Sequence, residues 1–392
     1  MKVTTIPENL LERIGLALGL VPRPLGDVFL GPLLAWTVLA ASSLGVFDIL
    51  ADGPRTVEQV AAEIGNHLAA TSKLLRALHA SGYLKWRDGR YALTRMSARW
   101  LPSRAAKSIH SAVLHRAIDF RFMDFEQYVR TGESRDFHRE LHEDEWARYH
   151  RGQACQAQLI LQDVVNRIPM PAGASKMLDL GGGHGLYSLA LCERHPGLHS
   201  RVLDLGNPIQ REMCMAFPGT ADRVHFEKAD ILTTPLGSAS ADLVLLANVN
   251  HHFDESTNRR LVCRVADALR PGGFLIVLDL MRAGSVTESH QFEALMDLYF
   301  GAASGAQLWT VEEIQIWQQE SGLQPLSPVA LRLLPDCKIQ AAQKPANRGW
   351  RRPSNFLLHN SAAAAKKTAQ ARRQAQAGKP NAAVLGANGG TR

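Results

Sequence analysis

Two adjacent histidines, His251 and His252, follow an apolar run in Ala247-Asn-Val-Asn-His-His-Phe-Asp-Glu255. Imidazole has an unperturbed pKa of about 6.5, so it is the side chain best suited to take a proton near neutral pH. A second set of candidates is acidic: Asp179, Asp204, Asp230 and Asp279 each stand at the end of, or just beyond, a short apolar run. Between the first two lies the loop Gly181-Gly-Gly-His-Gly185. An acid about 20 residues beyond such a loop sits where a ribose diol can receive two hydrogen bonds, and Asp204 occupies that place. The loop reads G-x-G-x-G with Leu186 in the sixth position, so the dinucleotide pattern G-x-G-x-x-G is not met.

The elements that must carry these groups are legible as alternating units. Met177–Leu180 reads as a buried strand, the glycines as a sharp turn, and Leu186, Leu189, Ala190 and Leu191 as one face of a helix. Further strands are expected at 201–205, 223–226, 242–247 and 274–279. Helices are expected from Asp254 to Leu269, Glu288 to Phe300 and Thr310 to Glu320, the first of them stopped by Arg270-Pro-Gly-Gly273. Leu326–Leu334 and Cys337–Gln343 would close the sheet as an antiparallel pair around Pro335-Asp336. Repeated βα units predict an α/β fold with a mostly parallel sheet and ligands at the carboxyl ends of its strands. Upstream, Thr56–Ile64 and Leu68–Ser81 read as helices, and Tyr83–Trp86 with Arg90–Leu93 as a hairpin turning at Asp88-Gly89. Together they make a winged helix, which alone would suggest DNA binding.

Leu178-Asp-Leu-Gly-Gly-Gly-His-Gly185 strongly resembles the first motif of the S-adenosylmethionine-dependent methyltransferases. With the winged helix ahead of it, the chain is similar to the small-molecule O-methyltransferases over roughly residues 15–344. The resemblance implies S-adenosylmethionine as cofactor. Asp179, Gly181, Gly183 and Gly185 would lie at its methionine end, Asp204 on its ribose, and Asp230 with Ile231 at its adenine. It also implies a Rossmann-like methyltransferase domain at 171–345, a helical bridge covering the substrate at 103–170, and a winged-helix homodimerisation domain at 1–102. The family's Leu-His-Asp-Trp pattern, laid on this chain without gaps, puts the base at His251, with His252 replacing the acid and Phe253 the tryptophan. The family's base-orienting acid falls at Asp279, where glutamate is usual, so the shorter side chain is expected to act through a water or a shifted backbone. A further orienting acid of the family appears as Leu308, with Asp297 near but out of register. O-methylation of a fairly apolar, aromatic or polyketide-like hydroxyl is the implied reaction. Carbon or sulfur methylation by proximity, without a base, is the alternative. A cofactor-sensing DNA-binding regulator is the alternative of another class.

Composition bounds the remainder. A hydrophobic content of 46% and 392 residues are enough for two or three packed domains. Five scattered cysteines, none in C-x-x-C spacing, argue against a disulfide framework or structural zinc and for a cytoplasmic protein, and the N-terminus lacks a signal-peptide pattern. His138, His142 and His150 lie among acids without H-E-x-x-H spacing, so a solvated polar face is expected there and no metal. Val28–Phe47 carries no charge, is bracketed by Asp27 and Asp48, and reads as a helix buried in a core or between two subunits, in preference to a membrane span. Ten of the 44 Lys/Arg and none of the 37 acids lie in Lys344–Arg392, so the net +7 belongs to this stretch. From residue 346 it is expected to be a disordered basic extension, at most weakly attracted to anionic surfaces, with no specific nucleic acid as partner.

Overall fold

The computed structural model describes residues 3–206 and 209–346, and the basic stretch from 347 onward lies outside them. Thr56 sets the start of the winged-helix module. Its hydroxyl accepts the Gln59 N–H at 3.3 Å, and the Gln59 side chain accepts the Thr56 N–H at 2.9 Å, closing a capping box. The N-terminal helices are α1 (Leu10–Ala17), α2 (Arg23–Ser43), α3 (Val46–Ala51), α4 (Val57–Glu63) and α5 (Leu68–Ala80). The hairpin β1 (Leu84–Arg87) and β2 (Arg90–Leu93) follows, then α6 (Arg95–Trp100). Asp88 and Gly89 both have positive φ (51° and 73°), the two-residue turn that matches strand twist.

Helix α2 departs from expectation in two ways. It runs through Pro32 without ending, and most of its apolar surface is exposed: Phe29 is 62% and Leu33 51% accessible. Of the two places expected for this segment, a core of its own chain holds only for its C-terminal end, where Leu39, Ala41, Val46 and Phe47 are buried, and the N-terminal part is left uncovered. Among the described residues it is also the one helix long and apolar enough to cross a membrane, with 17% of its apolar window buried.

Residues 103–170 form α7 (His110–Asp119), α8 (Phe125–Thr131), α9 (Phe137–Glu140) and the 25-residue α10 (Glu143–Arg167), which reaches from the winged-helix side to the main sheet. The main sheet then builds from β3 (Lys176–Leu180), α11 (Leu186–Arg194), β4 (His199–Asp204), α12 (Gln210–Ala216), β5 (Val224–Lys228), β6 (Ala241–Ala247), α13 (Glu255–Ala268) and β7 (Leu269–Leu280). After α14 (Gln291–Ser304) and α15 (Val311–Glu320) come β8 (Gln324–Pro325), β9 (Val329–Ala330) and β10 (Cys337–Gln343). The strand order is β5-β4-β3-β6-β7-β10-β8, with β9 also on β10; β5 through β7 run parallel and β10 antiparallel.

The expected strand over 326–334 is reduced to the two residues of β9. Pro328 supplies no backbone N–H, so a continuous ladder against β10 cannot form there. Two apolar layers cover the sheet: α13 and α15 on one face, with Trp317 fully buried, and α10 and α11 on the other. The β strands are thus buried on both faces, which is why they read as continuous apolar runs.

Candidate active site

Parallel pairing brings the carboxyl ends of β5, β4, β3, β6 and β7 side by side, with Asp230, Asp204, Asp179 and Asp279 at or just beyond the ends of β5, β4, β3 and β7. Between β3 and α11 the glycine loop turns with positive φ at Gly181, Gly183 and Gly185 (69°, 46° and 69°). A Cβ at Gly185 would lie 2.4 Å from the Phe226 ring, and one at Gly181 would lie 2.7 Å from Val249. Those two glycines let the loop press onto the sheet. Gly183 differs: a Cβ there would meet only Asp204 Oδ2 at 3.7 Å and His150 Nε2 at 3.8 Å.

Asp204 is gripped by this loop. Its Oδ2 accepts the Gly183 N–H at 2.9 Å and its Oδ1 the Gly206 N–H at 3.2 Å. Burial pushes its carboxyl up to about 6, against the pull of those backbone donors. Asp230, just past β5, is exposed, and its Oδ1 accepts the Leu232 N–H at 2.8 Å. The Ile231 side chain packs into the core, which leaves mainly its backbone for a ligand.

Asp179 is placed differently from its expected position. It is 1% exposed and turned beneath the loop, where Ser188 Oγ donates to its Oδ2 at 2.7 Å and contacts Ser200 Oγ at 2.8 Å. Its other oxygen is buried without a partner. Asp179 therefore supports the loop from below. Burial pushes this carboxyl up to about 7 from 3.8, with Ser188 opposing and Asp204 adding to the rise. The folded state thus holds this proton more tightly than the unfolded chain. The group's contribution to stability is complete below about pH 4 and is lost as pH rises through 7. Asp179→Asn removes the titration and keeps an oxygen for Ser188. Its melting temperature relative to wild type should therefore be higher at pH 8 than at pH 5, by an equivalent of at most about 3 kcal/mol. Scanning calorimetry giving the same difference at both pH values would contradict this.

The histidine pair sits at the end of β6. Asn248 adopts φ +56°, uncommon for a residue with a side chain, and turns the chain out of the strand while its N–H donates to Leu278 O at 2.8 Å. The turn brings His251 against β7, where its Nδ1 lies 2.6 Å from Asp279 Oδ1. The expected water or backbone shift is not needed: the aspartate reaches the imidazole directly. His251 is 4% exposed and stacked on Phe300 of α14, with ring centroids 3.9 Å apart. His252 lies alongside with centroids 4.3 Å apart, but its Nδ1 is buried without a partner and burial drives its pKa well below the usual value.

Several residues that fix this geometry were not singled out from the sequence. Asn258 of α13 donates to the Asn250 and Phe253 carbonyls at 2.9 and 3.0 Å and accepts from Asn250 Nδ2 at 2.7 Å. Trp309 Nε1 donates to the same Asn250 carbonyl at 2.9 Å. These bonds pin the loop that carries His251. Leu308, where a further acid was sought, is fully buried, and Asp297 is occupied in accepting the Leu308 N–H at 2.6 Å.

The expected polar face at His138, His142 and His150 holds only for His142, which is exposed. His138 turns inward, its ring 4.5 Å from His252 and beside Trp146, and burial lowers its pKa to about 4. His150 also turns inward, against the glycine loop. Tyr149, Phe137 and Phe300 complete an apolar, aromatic cap over the histidines. Among the described residues no His, Cys, Asp and Glu group could hold a metal. The interleaved histidines and aromatics of 137–150 are the signal that could have exposed this cap in the sequence.

These features suit a ligand that carries a ribose diol. Asp204 is a carboxylate at a strand tip ready for hydroxyl donors, and Gly183 leaves space above it. Comparison with known proteins agrees. Residues 117–324 match the O-methyltransferase domain family, and residues 28–103 match the O-methyltransferase dimerisation domain. The chain is 27% identical over 319 residues to 3-hydroxy-5-methyl-1-naphthoate 3-O-methyltransferase of Streptomyces sahachiroi, covering 77% of this chain and 89% of that one. It is 28% identical over 299 residues to the N,N-dimethyltransferase OxyT of Streptomyces rimosus, covering 72% and 85%. Human N-acetylserotonin methyltransferase, solved in complex with S-adenosylmethionine, has the same fold: TM-score 0.72, 21% identity, 87% of this chain and 99% of that one.

Proposed function

The chain belongs to the O-methyltransferase family, it is an S-adenosylmethionine-dependent methyltransferase, and we propose that it methylates a hydroxyl on an aromatic or polyketide-like small molecule with His251 as general base. When bound, the cofactor supplies a methyl group on a sulfonium, already activated for in-line displacement. The protein must hold the acceptor, exclude water and remove the hydroxyl proton. The observation that carries the base assignment is the 2.6 Å contact between His251 Nδ1 and Asp279 Oδ1. It fixes the tautomer with hydrogen on Nδ1, leaving Nε2 free to accept a proton from the acceptor. Stacking on Phe300 holds the ring plane, and the cap of Trp146, Tyr149 and Phe137 offers the apolar surface an aromatic ring would bury against.

Gly181, Gly183, Gly185, Asp204, Asp230 and the Ile231 backbone are the residues proposed to surround the cofactor, with Asp179 bracing the loop beneath. The naphthoate-modifying relative supports an aromatic acceptor, whereas the N,N-dimethyltransferase relative makes the acceptor atom the point to be measured. The test is a panel of hydroxylated aromatics incubated with labelled S-adenosylmethionine, the added methyl being located by mass spectrometry. Label on carbon or nitrogen, or none on any phenol, would overturn the reading.

The match to a dimerisation domain supports a homodimer, which explains the apolar surface left open on α2 and favours dimerisation over DNA recognition for the winged helix. The scattered cysteines support a cytoplasmic enzyme. Phe29→Glu with Leu33→Glu places two charges one helical turn apart on the exposed face. Light scattering should show the wild type as a dimer at micromolar concentration and this variant as a monomer. A wild-type monomer would defeat the interface, and recovery of the wild type only from membranes would reassign α2 to the bilayer.

A further inference from the structure

We propose that His150, delivered from α10, completes the ribose site opposite Asp204 by donating a hydrogen bond to one hydroxyl of the cofactor's ribose. This rests on the reading of Asp204 as the ribose acid. His150 is 2% exposed although nothing holds its polar atoms: Nδ1 is buried without a partner. Its Nε2 faces Asp204 Oδ1 across 3.9 Å. That gap is too long for a direct hydrogen bond. An oxygen about 2.8 Å from each atom fits between them with an angle of roughly 90° at the oxygen. The same space lies over Gly183, where a Cβ would come within 3.8 Å of Nε2 and 3.7 Å of Asp204 Oδ2.

A hydroxyl is the group this pair of neighbours selects. Its hydrogen goes to the Asp204 carboxylate, which only accepts, and its lone pair receives the Nε2–H of a neutral imidazole. Burial keeps His150 in that neutral form, with a pKa of about 4. An ammonium at this point would have no lone pair to receive the Nε2–H. Because α10 also carries Trp146 and Tyr149 of the cap, a ligand that engages His150 ties cap and cofactor cleft together through one helix.

The experiment is calorimetry of S-adenosylhomocysteine and its 2′-deoxy and 3′-deoxy forms against full-length wild type, His150→Phe, His150→Gln and Asp204→Ala. His150→Phe should weaken S-adenosylhomocysteine roughly five- to tenfold, the worth of one ordinary hydrogen bond. One of the two deoxy ligands should bind wild type and His150→Phe within about twofold of each other, since the bridged hydroxyl is then missing. His150→Gln, which keeps an N–H at the same reach, should recover most of the loss. Equal losses for all three ligands would overturn the inference, as would wild-type affinity in His150→Phe. If Asp204 matters and His150 does not, the bridge alone is wrong. If Asp204→Ala binds like wild type, the ribose assignment falls with it.

Discussion

Replacing His251 with alanine should lower turnover by about 10²–10⁴-fold and leave S-adenosylmethionine affinity nearly unchanged. The reasoning is geometric. His251 is at the end of β6, next to Asp279 and under Phe300, whereas the residues proposed to surround the cofactor lie at the ends of β3, β4 and β5. Removing the imidazole deletes the proton acceptor without altering the loop that grips Asp204. Asp279→Asn should cost less, because the amide still orients the ring although it no longer favours hydrogen on Nδ1. The double variant should be little worse than His251→Ala, since the two side chains act as one unit. His252→Ala is the control. No acid orients His252, and its nearest titratable neighbours are His251 and His138, so its loss should cost far less than that of His251. Steady-state rates with the identified acceptor decide it. If His252→Ala abolishes turnover and His251→Ala does not, the base is the second histidine. If neither matters, alignment and desolvation carry the reaction.

Much of this arrangement was legible because it is local. The glycine turn and the acids at strand ends follow from strand-and-helix period plus the rule that parallel neighbours gather their carboxyl ends, whereas the His251–Asp279 pairing followed from the resemblance to the O-methyltransferases. The structure gives that resemblance a physical basis, since β6 and β7 are adjacent parallel strands that carry His251 and Asp279 to one end of the sheet. What escaped depends on long-range packing. Phe300, Asn258 and Trp309 reach the histidine loop from three different helices or loops, and no sequence period announces such contacts. His138 and His150 were read as solvated because acids surround them in sequence. In the fold those acids face outward while the two imidazoles turn in toward residues about 50 to 115 positions away. Asp179 was placed with the cofactor by resemblance, yet Ser188, one turn into α11, takes its carboxylate beneath the loop. The direct His251–Asp279 contact shows the reverse case, where a shorter acid than expected still reaches because the turn at Asn248 brings the ring close.

Asp204→Ala should weaken S-adenosylmethionine by about 2–4 kcal/mol, roughly 30- to 1,000-fold in Kd, while leaving the fold intact. Two hydroxyl donors to one carboxylate are worth ~1.5–3 kcal/mol each, and part of this is offset because a half-buried carboxylate is stripped of water on binding. The Gly183 and Gly206 amides already hold the carboxylate in place, so little ordering is left to be done when the ligand arrives. The pH dependence follows from the raised pKa of about 6. Hydroxyl donors favour the charged form, so the complex holds the Asp204 proton less tightly than the free protein does. Affinity should be full above pH 7 and fall as pH drops through 6, approaching tenfold per unit below it. Asp204→Asn keeps one oxygen as acceptor but cannot titrate, so it should bind weakly at all pH values and lose this slope. Calorimetry across pH 5 to 8 separates the cases. Wild-type affinity in Asp204→Ala would remove Asp204 from the cofactor site, and a slope that survives in Asp204→Asn would assign the titration to a neighbouring group, with Asp179 the first to examine.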